Sequence, residues 1–184
     1  MTRLVIALMV LMTLTVSLFA GDCGPLRNSH SLSLTAQSPG ALQANSLCAK
    51  DERIIFSCPI KRPAKIVSVC ASKDLTSDRG YIQYRFGLPG RIELEFPKTR
   101  TGTQATFKYS HYFRAQFDET EIGFTADAYE YAIFDDYNGE QKPASHDQGI
   151  RVTAPDGKET TLSCRGRAKA DYGNLGDVLP AETR

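Results

Sequence analysis

From residue 52 onward the chain reads as an all-β fold, a single antiparallel β-sandwich or barrel of about nine strands. Three observations carry that reading. Short runs alternate apolar and polar residues, the period of two that sends successive side chains to opposite faces of a strand. Turn residues break these runs often, as at Pro89-Gly90, Asn138-Gly139 and Pro155-Asp156-Gly157. Four cysteines, Cys48, Cys58, Cys70 and Cys164, stand where they can staple such strands. Strand-sized runs at this spacing belong to sandwiches and barrels.

The segments before residue 52 are of another kind. Arg3 is the only charge before Asp22, and the residues between are apolar up to the small Ala20. This is the pattern of a secretory signal peptide over residues 1–20, removed after Ala20, with no membrane span left in the mature chain. Residues 21–51 lack periodicity and form an N-terminal arm, with a short helix expected near 40–47.

Within the β-domain, 52–164, the first hairpin is "FSCPIKRPAKIVSVCAS". Its basic Lys61-Arg62-Pro63-Ala64 turn pairs Ile60 with Lys65, Cys58 with Val67 and Phe56 with Val69. The second is "YIQYRFGLPGRIELEFP", where Ile82, Tyr84 and Phe86 share one face and Ile92, Leu94 and Phe96 another. Pairing Phe86 with Ile92 sets Arg85 opposite Glu93 on a wet face. Further strands are expected around 104–113, 120–125 and 129–134, joined in one place by the weak turn Ala126-Asp127-Ala128. The last hairpin, "GIRVTAPDGKETTLSC", sets Ile150 and Val152 against Leu162. Residues 165–184 are polar and form a loose or lightly docked tail.

In an exported protein cysteines pair. The count is five, so two bridges leave one thiol, best assigned to Cys23 near the terminus. No C-x-x-C pair is present, which removes the zinc-ribbon and thioredoxin readings. In the register above, Cys70 faces Ile55 and stands on the opposite face of the hairpin from Cys58. Sulfurs on opposite faces cannot be bridged. The preferred pairing is therefore Cys58–Cys164 with Cys48–Cys70, and the exchange of partners, Cys58 with Cys48 and Cys70 with Cys164, stays open.

The net charge of +1 conceals a segregation. Residues 50–114 hold thirteen Lys and Arg against six acids, whereas residues 115–140 hold eight acids and no base. Candidate binding residues are drawn from this acidic stretch: Asp118, Glu119, Glu121, Asp127, Asp135 and Asp136. Tyr112 and Arg114 join them, because Tyr112 is out of phase with Phe107, Tyr109 and Phe113 and is expected to be exposed. Export and a near-neutral charge argue against nucleic acid. No hydrolase motif or phosphate loop occurs. Ser110, His111 and Asp118 are the nearest approach to a catalytic triad. His146 and Asp147, with Asp135 and Asp136, are the nearest approach to a metal site, but the "DDYNGE" stretch lacks the alternate carboxylate spacing of a calcium loop. No metal and no cofactor are assigned.

At "KIVSVCAS", "YIQYRFGLPGRIELEFP" and "YEYAIFDDYNGE" the chain resembles a group of small exported Gram-negative bacterial proteins of unassigned activity. That resemblance covers most of residues 54–164 and implies no functional residue. The plan is loosely similar to periplasmic lysozyme inhibitors, although their inhibitory Ser-Gly loop leading to a tyrosine is missing. The expectation is a non-enzymatic binding or inhibitory module of the envelope, meeting a basic protein such as a cell-wall hydrolase or toxin. The alternatives are an envelope hydrolase using His111 or His146 with a carboxylate, and a structural or stress-related protein.

Overall fold

A computed structural model describes residues 45–182. The expected signal peptide, Cys23 and most of the expected arm lie outside the described residues. Among the described residues, ten strands form two antiparallel sheets. The first contains β1 (Glu52–Pro59), β2 (Ile66–Ser72), β3 (Ile82–Leu88), β4 (Arg91–Phe96) and β10 (Lys169–Ala170), in the order β10-β1-β2-β3-β4. The second is a meander of β5 (Phe107–Arg114), β6 (Phe117–Ala126), β7 (Tyr129–Asn138), β8 (Ser145–Thr153) and β9 (Glu159–Ser163). A single-turn helix, α1 (Leu175–Val178), follows β10.

The sheets pack face to face as a sandwich. Ile55, Phe56, Val67, Val69, Ile82 and Tyr84 of the first meet Phe107, Ile122, Phe124, Ile133 and Ile150 of the second in one buried core. Phe124 is its hub. Its ring lies 4.9 Å from Tyr84, 5.0 Å from Phe96 and 4.7 Å from Tyr131. Aromatic pairs at this spacing add about 0.5–1.5 kcal/mol each beyond their area burial.

Both disulfides match the preferred pairing: Cys48–Cys70, with Cα atoms 5.4 Å apart, and Cys58–Cys164, at 5.6 Å. The hairpin that carries Cys58 and Cys70 is bulged. Phe56 pairs with Val69 and Cys58 with Val67 as expected, but a bulge at Ile55 moves the partner of Cys70 to Ile54. The bulge lies in β1 and leaves the alternation of β2 intact. Val67, Val69 and Ala71 therefore face the sandwich core, while Cys70 faces outward with Cys48 and Ile54.

The β3–β4 register differs from expectation by two residues. Pro89-Gly90 makes a two-residue turn with Leu88 opposite Arg91, and a bulge follows at Gly87, whose φ is +145°. Phe86 then faces Leu94, Tyr84 faces Phe96, and Arg85 faces Glu95 rather than Glu93. Ile92, opposite Gly87, is left 43% exposed. A glycine in this conformation lets β4 place the extra residue Glu93 between Ile92 and Leu94, which slips the ladder.

The face expected to be wet is also sealed. Residues 45–49, which are not helical, cover the outer surface of the first sheet, and Arg85 is only 2% exposed. Its guanidinium holds Glu52 through two hydrogen bonds of 2.6 and 2.8 Å, and donates to Leu47 O, Gln83 Oε1 and Glu95 Oε1. Tyr81 Oη and the Ala49 amide donate to the same Glu52 carboxylate. Burial alone would push Glu52 upward, but these donors outweigh it and hold the carboxyl below its usual range.

The C-terminal segment is built into the sandwich rather than loosely attached. Residues 169–170 add a strand to β1, and Leu175, Val178 and Leu179 are buried in the core. The Tyr109 amide donates to Pro180 O and the Glu182 amide to Tyr109 O. The apolar spacing of Leu175, Val178 and Leu179 is too short a signal to stand out in a polar stretch.

Candidate functional site

The meander runs β5 to β8 in continuous register, so its faces follow from alternation. On the inner face, Tyr109, Ile122, Ile133 and Ile150 align across the four strands and are mostly buried. The next row is His111, Thr120, Asp135 and Gln148, and the row after it Phe113, Asp118, Tyr137 and His146. Burial falls row by row as the face leaves the core. The same alternation that builds the core thus delivers polar groups to its open end.

His111, Thr120 and Asp135 of the first of these rows and Asp118, Tyr137 and His146 of the second line a cleft of about 600 Å³, with Tyr109 at its inner end. Its far side is closed by Arg167, Tyr172 and Gly173 of the C-terminal segment. Two imidazole–carboxylate pairs bond diagonally across adjacent strands: His111 Nε2 to Asp118 Oδ1 at 3.0 Å and His146 Nε2 to Asp135 Oδ1 at 2.6 Å. Diagonal neighbours stand about 7–8 Å apart at Cα, within reach of side chains of this length. The second pair is the more sheltered, with Asp135 at 13% and His146 at 25% side-chain exposure. Tyr172 Oη donates to the other oxygen of Asp135 at 2.8 Å. Burial first, then the Asp135 charge, pushes the Tyr172 phenol far above its ordinary value, so it stays protonated and donates to Asp135. Tyr137 meets the His146 ring edge-on at 5.9 Å, and Tyr109 stands 6.5 Å from Tyr172.

The outer face differs in chemistry. Tyr112, Glu119, Asp136 and Asp147 align in one row, with Ser110, Glu121, Phe134 and Gly149 in the next. Arg151 pairs with Glu121 and reaches Asp136 Oδ2 at 3.6 Å, its guanidinium 4.6 Å from the Phe134 ring centre. Burial, then Glu119 and Glu121, push the Asp136 carboxyl up to about 6 against the pull of Arg151. Tyr112 is 46% exposed. Arg114, on the same face, pairs with Glu140 and lies over the Phe117 ring at 4.5 Å.

The acidic stretch is therefore two sites. Asp118 and Asp135 enter the cleft, Glu119, Glu121 and Asp136 stay outside with Tyr112 and Arg114, and Asp127 sits apart in the β6–β7 turn with φ +51°. His146 belongs to strand β8, and alternation sends Asp136 and Asp147 away from Asp135 and His146, which dissolves the grouping weighed as a metal site. Ser110 likewise points away from His111, so no Ser/His/Asp set forms. Among the described residues, Cys48, Glu52 and Cys70 are close enough for a shared ion, but the sulfurs are bonded together and Arg85 occupies Glu52. Tyr137, Thr120 and the tail residues Arg167 and Tyr172 are cleft residues that sequence reasoning did not select. For the first two the signal was present, since Thr120 shares the parity of Ile122, and Tyr137 that of Ile133.

No protein-family model matches the chain, and no curated protein or solved structure matches it either.

Proposed function

We propose that this protein is a non-enzymatic binding module of the bacterial envelope that holds a basic protein, such as a cell-wall hydrolase or toxin, against the outer face of its second sheet. Two disulfides point to an oxidising compartment. Among the described residues no helix is long and apolar enough to cross a membrane. The observation that carries the reading is the cross-strand row Glu119–Asp136–Asp147 beside exposed Tyr112. Like charges directly opposite in a sheet are destabilising; burial is the main cause of the raised Asp136, and Glu119 and Glu121 add a repulsion to it. A cationic partner relieves it, and such complementarity acts mainly on association rate and salt dependence.

The test is affinity capture from periplasmic extract with the mature protein and with the triple variant Glu119→Gln, Asp136→Asn, Asp147→Asn. A basic protein retained by the parent at low salt and lost by the variant supports the reading. Identical captures overturn it.

A second reading, an envelope hydrolase, draws on the presence of both histidines in one cleft, each on a carboxylate. An imidazole so oriented is a general-base arrangement for an attacking water. Cell-wall hydrolysis abolished by His146→Ala would favour it.

A further inference from the structure

We infer that the inner-face cleft is a binding site for a short neutral oligosaccharide. This site lies on the opposite face of the sheet from the acidic row and does not depend on a basic partner. It also requires no bond to be broken.

Charge narrows the ligand class first. Asp118 and Asp135 bring two carboxylates into the cleft, which disfavours an anion. Each carboxylate already accepts from an imidazole, and Asp135 also from Tyr172, so a cation would have to displace partners in place. What the cleft offers is hydrogen bonding of both senses. When neutral His111 and His146 donate from Nε2, their Nδ1 atoms are left as acceptors. Thr120 and Tyr137 hydroxyls serve either way, and Arg167 only donates.

The second element is aromatic. Tyr109, Tyr137 and Tyr172 bring three rings to one small cavity. A ring with a polar tip offers an apolar face next to a hydrogen-bonding group. A pyranose is the matching object, with C–H bonds on its faces and hydroxyls around its edge. The volume of about 600 Å³ falls within the usual range for small-molecule sites, about 300–1,000 Å³. The position is also rigid, because the floor is a four-stranded sheet and Tyr172 is held by Asp135.

The experiment is a titration of isotope-labelled mature protein, followed by backbone amide NMR. The probes are the β-1,4 trimers of N-acetylglucosamine and of glucose, the α-1,4 trimer of glucose, and a lysine-rich peptide. At least one trimer should shift the amides of His111, Thr120, Asp135, Tyr137 and Tyr172 saturably. Tyr137→Ala and His146→Ala should each weaken that binding at least about tenfold, while Lys158→Ala at the β8–β9 turn leaves it unchanged. Tyr137 is 40% exposed, so its truncation spares the core, and retained thermal unfolding confirms a folded variant. The proposal is overturned if no trimer moves these amides at about 10 mM, a concentration that detects even millimolar affinity. It is equally overturned if Tyr137→Ala binds like the parent, or if the lysine peptide alone occupies the cleft.

Discussion

The outer faces of the two sheets carry the same residue types and treat them in opposite ways. On the first sheet, Arg85 and Glu52 are buried under residues 45–49, and every donor of the guanidinium edge finds an acceptor. On the second, Glu119, Asp136 and Asp147 stand side by side across three strands, with Arg151 reaching Glu121 and Asp136. Sealed and matched charge is architecture. Open like charge costs stability and is a place to look for a partner.

The sharpest way to break the comparison is Arg85→Met, which leaves Glu52 buried without its cation. Breaking a buried pair costs about 3–5 kcal/mol, so urea unfolding should shift strongly, and the double variant with Glu52→Gln should recover much of the loss. Next in size is the staple that holds the covering segment. Cys48→Ser with Cys70→Ser opens a loop of 22-residue separation and should cost about 3 kcal/mol. Amide exchange should then rise at Leu47, Ala49 and Gln83 before the second sheet is affected.

On the open face the sign reverses. The triple variant proposed above should gain about 1 kcal/mol, because cross-strand like-charge contacts of about 0.2–1 kcal/mol each are removed. pH separates the two faces by direction. The Asp136 carboxyl is raised to about 6 in the folded protein, above its unfolded value of about 3.9. Its ionisation therefore favours unfolding, and stability should increase as pH falls from about 7 to about 4. Glu52 is lowered, so its contribution is present above the unfolded value and is lost as pH falls through the lower folded one. Thermal midpoints across pH should rise and then fall on acidification, and Asp136→Asn should remove the rise alone.

The smallest effect lies away from both faces. The β6–β7 hairpin turns on Asp127 and Ala128, both at positive φ (51° and 65°). The turn twist demands that conformation at both positions, and alanine there costs roughly 1–2 kcal/mol relative to glycine's freedom. Ala128→Gly should stabilise by up to about 1 kcal/mol, measured by thermal unfolding.

This turn shows why parts of the fold were readable and parts were not. Ala126-Asp127-Ala128 is a poor turn by composition, yet the long ladder from Phe117 to Asn138 forces it. The ladder wins because ten aligned pairs outweigh two residues held at positive φ. The β3–β4 register failed for the opposite reason. The two-residue turn and the bulge opposite Gly87 each move the ladder by one residue, and neither leaves a mark in the apolar spacing of Ile92, Leu94 and Phe96.

The all-β class, the strand count between 52 and 164, the segregation of charge and the exclusion of a Cys58–Cys70 bridge were legible in the chain alone; the choice between Cys58–Cys164 with Cys48–Cys70 and its exchange was not. The strand assignments rest on local periodicity, and the face assignment of Cys58 and Cys70 needed the Cys58–Val67 register together with the alternation of β2. Tertiary structure decided the rest. Burying Arg85, splitting the acids between two faces, and bringing Tyr172 onto Asp135 all depend on segments far apart in the chain meeting across a sheet. Local spacing carries no record of that meeting, because it is the packing of the whole sandwich that selects it.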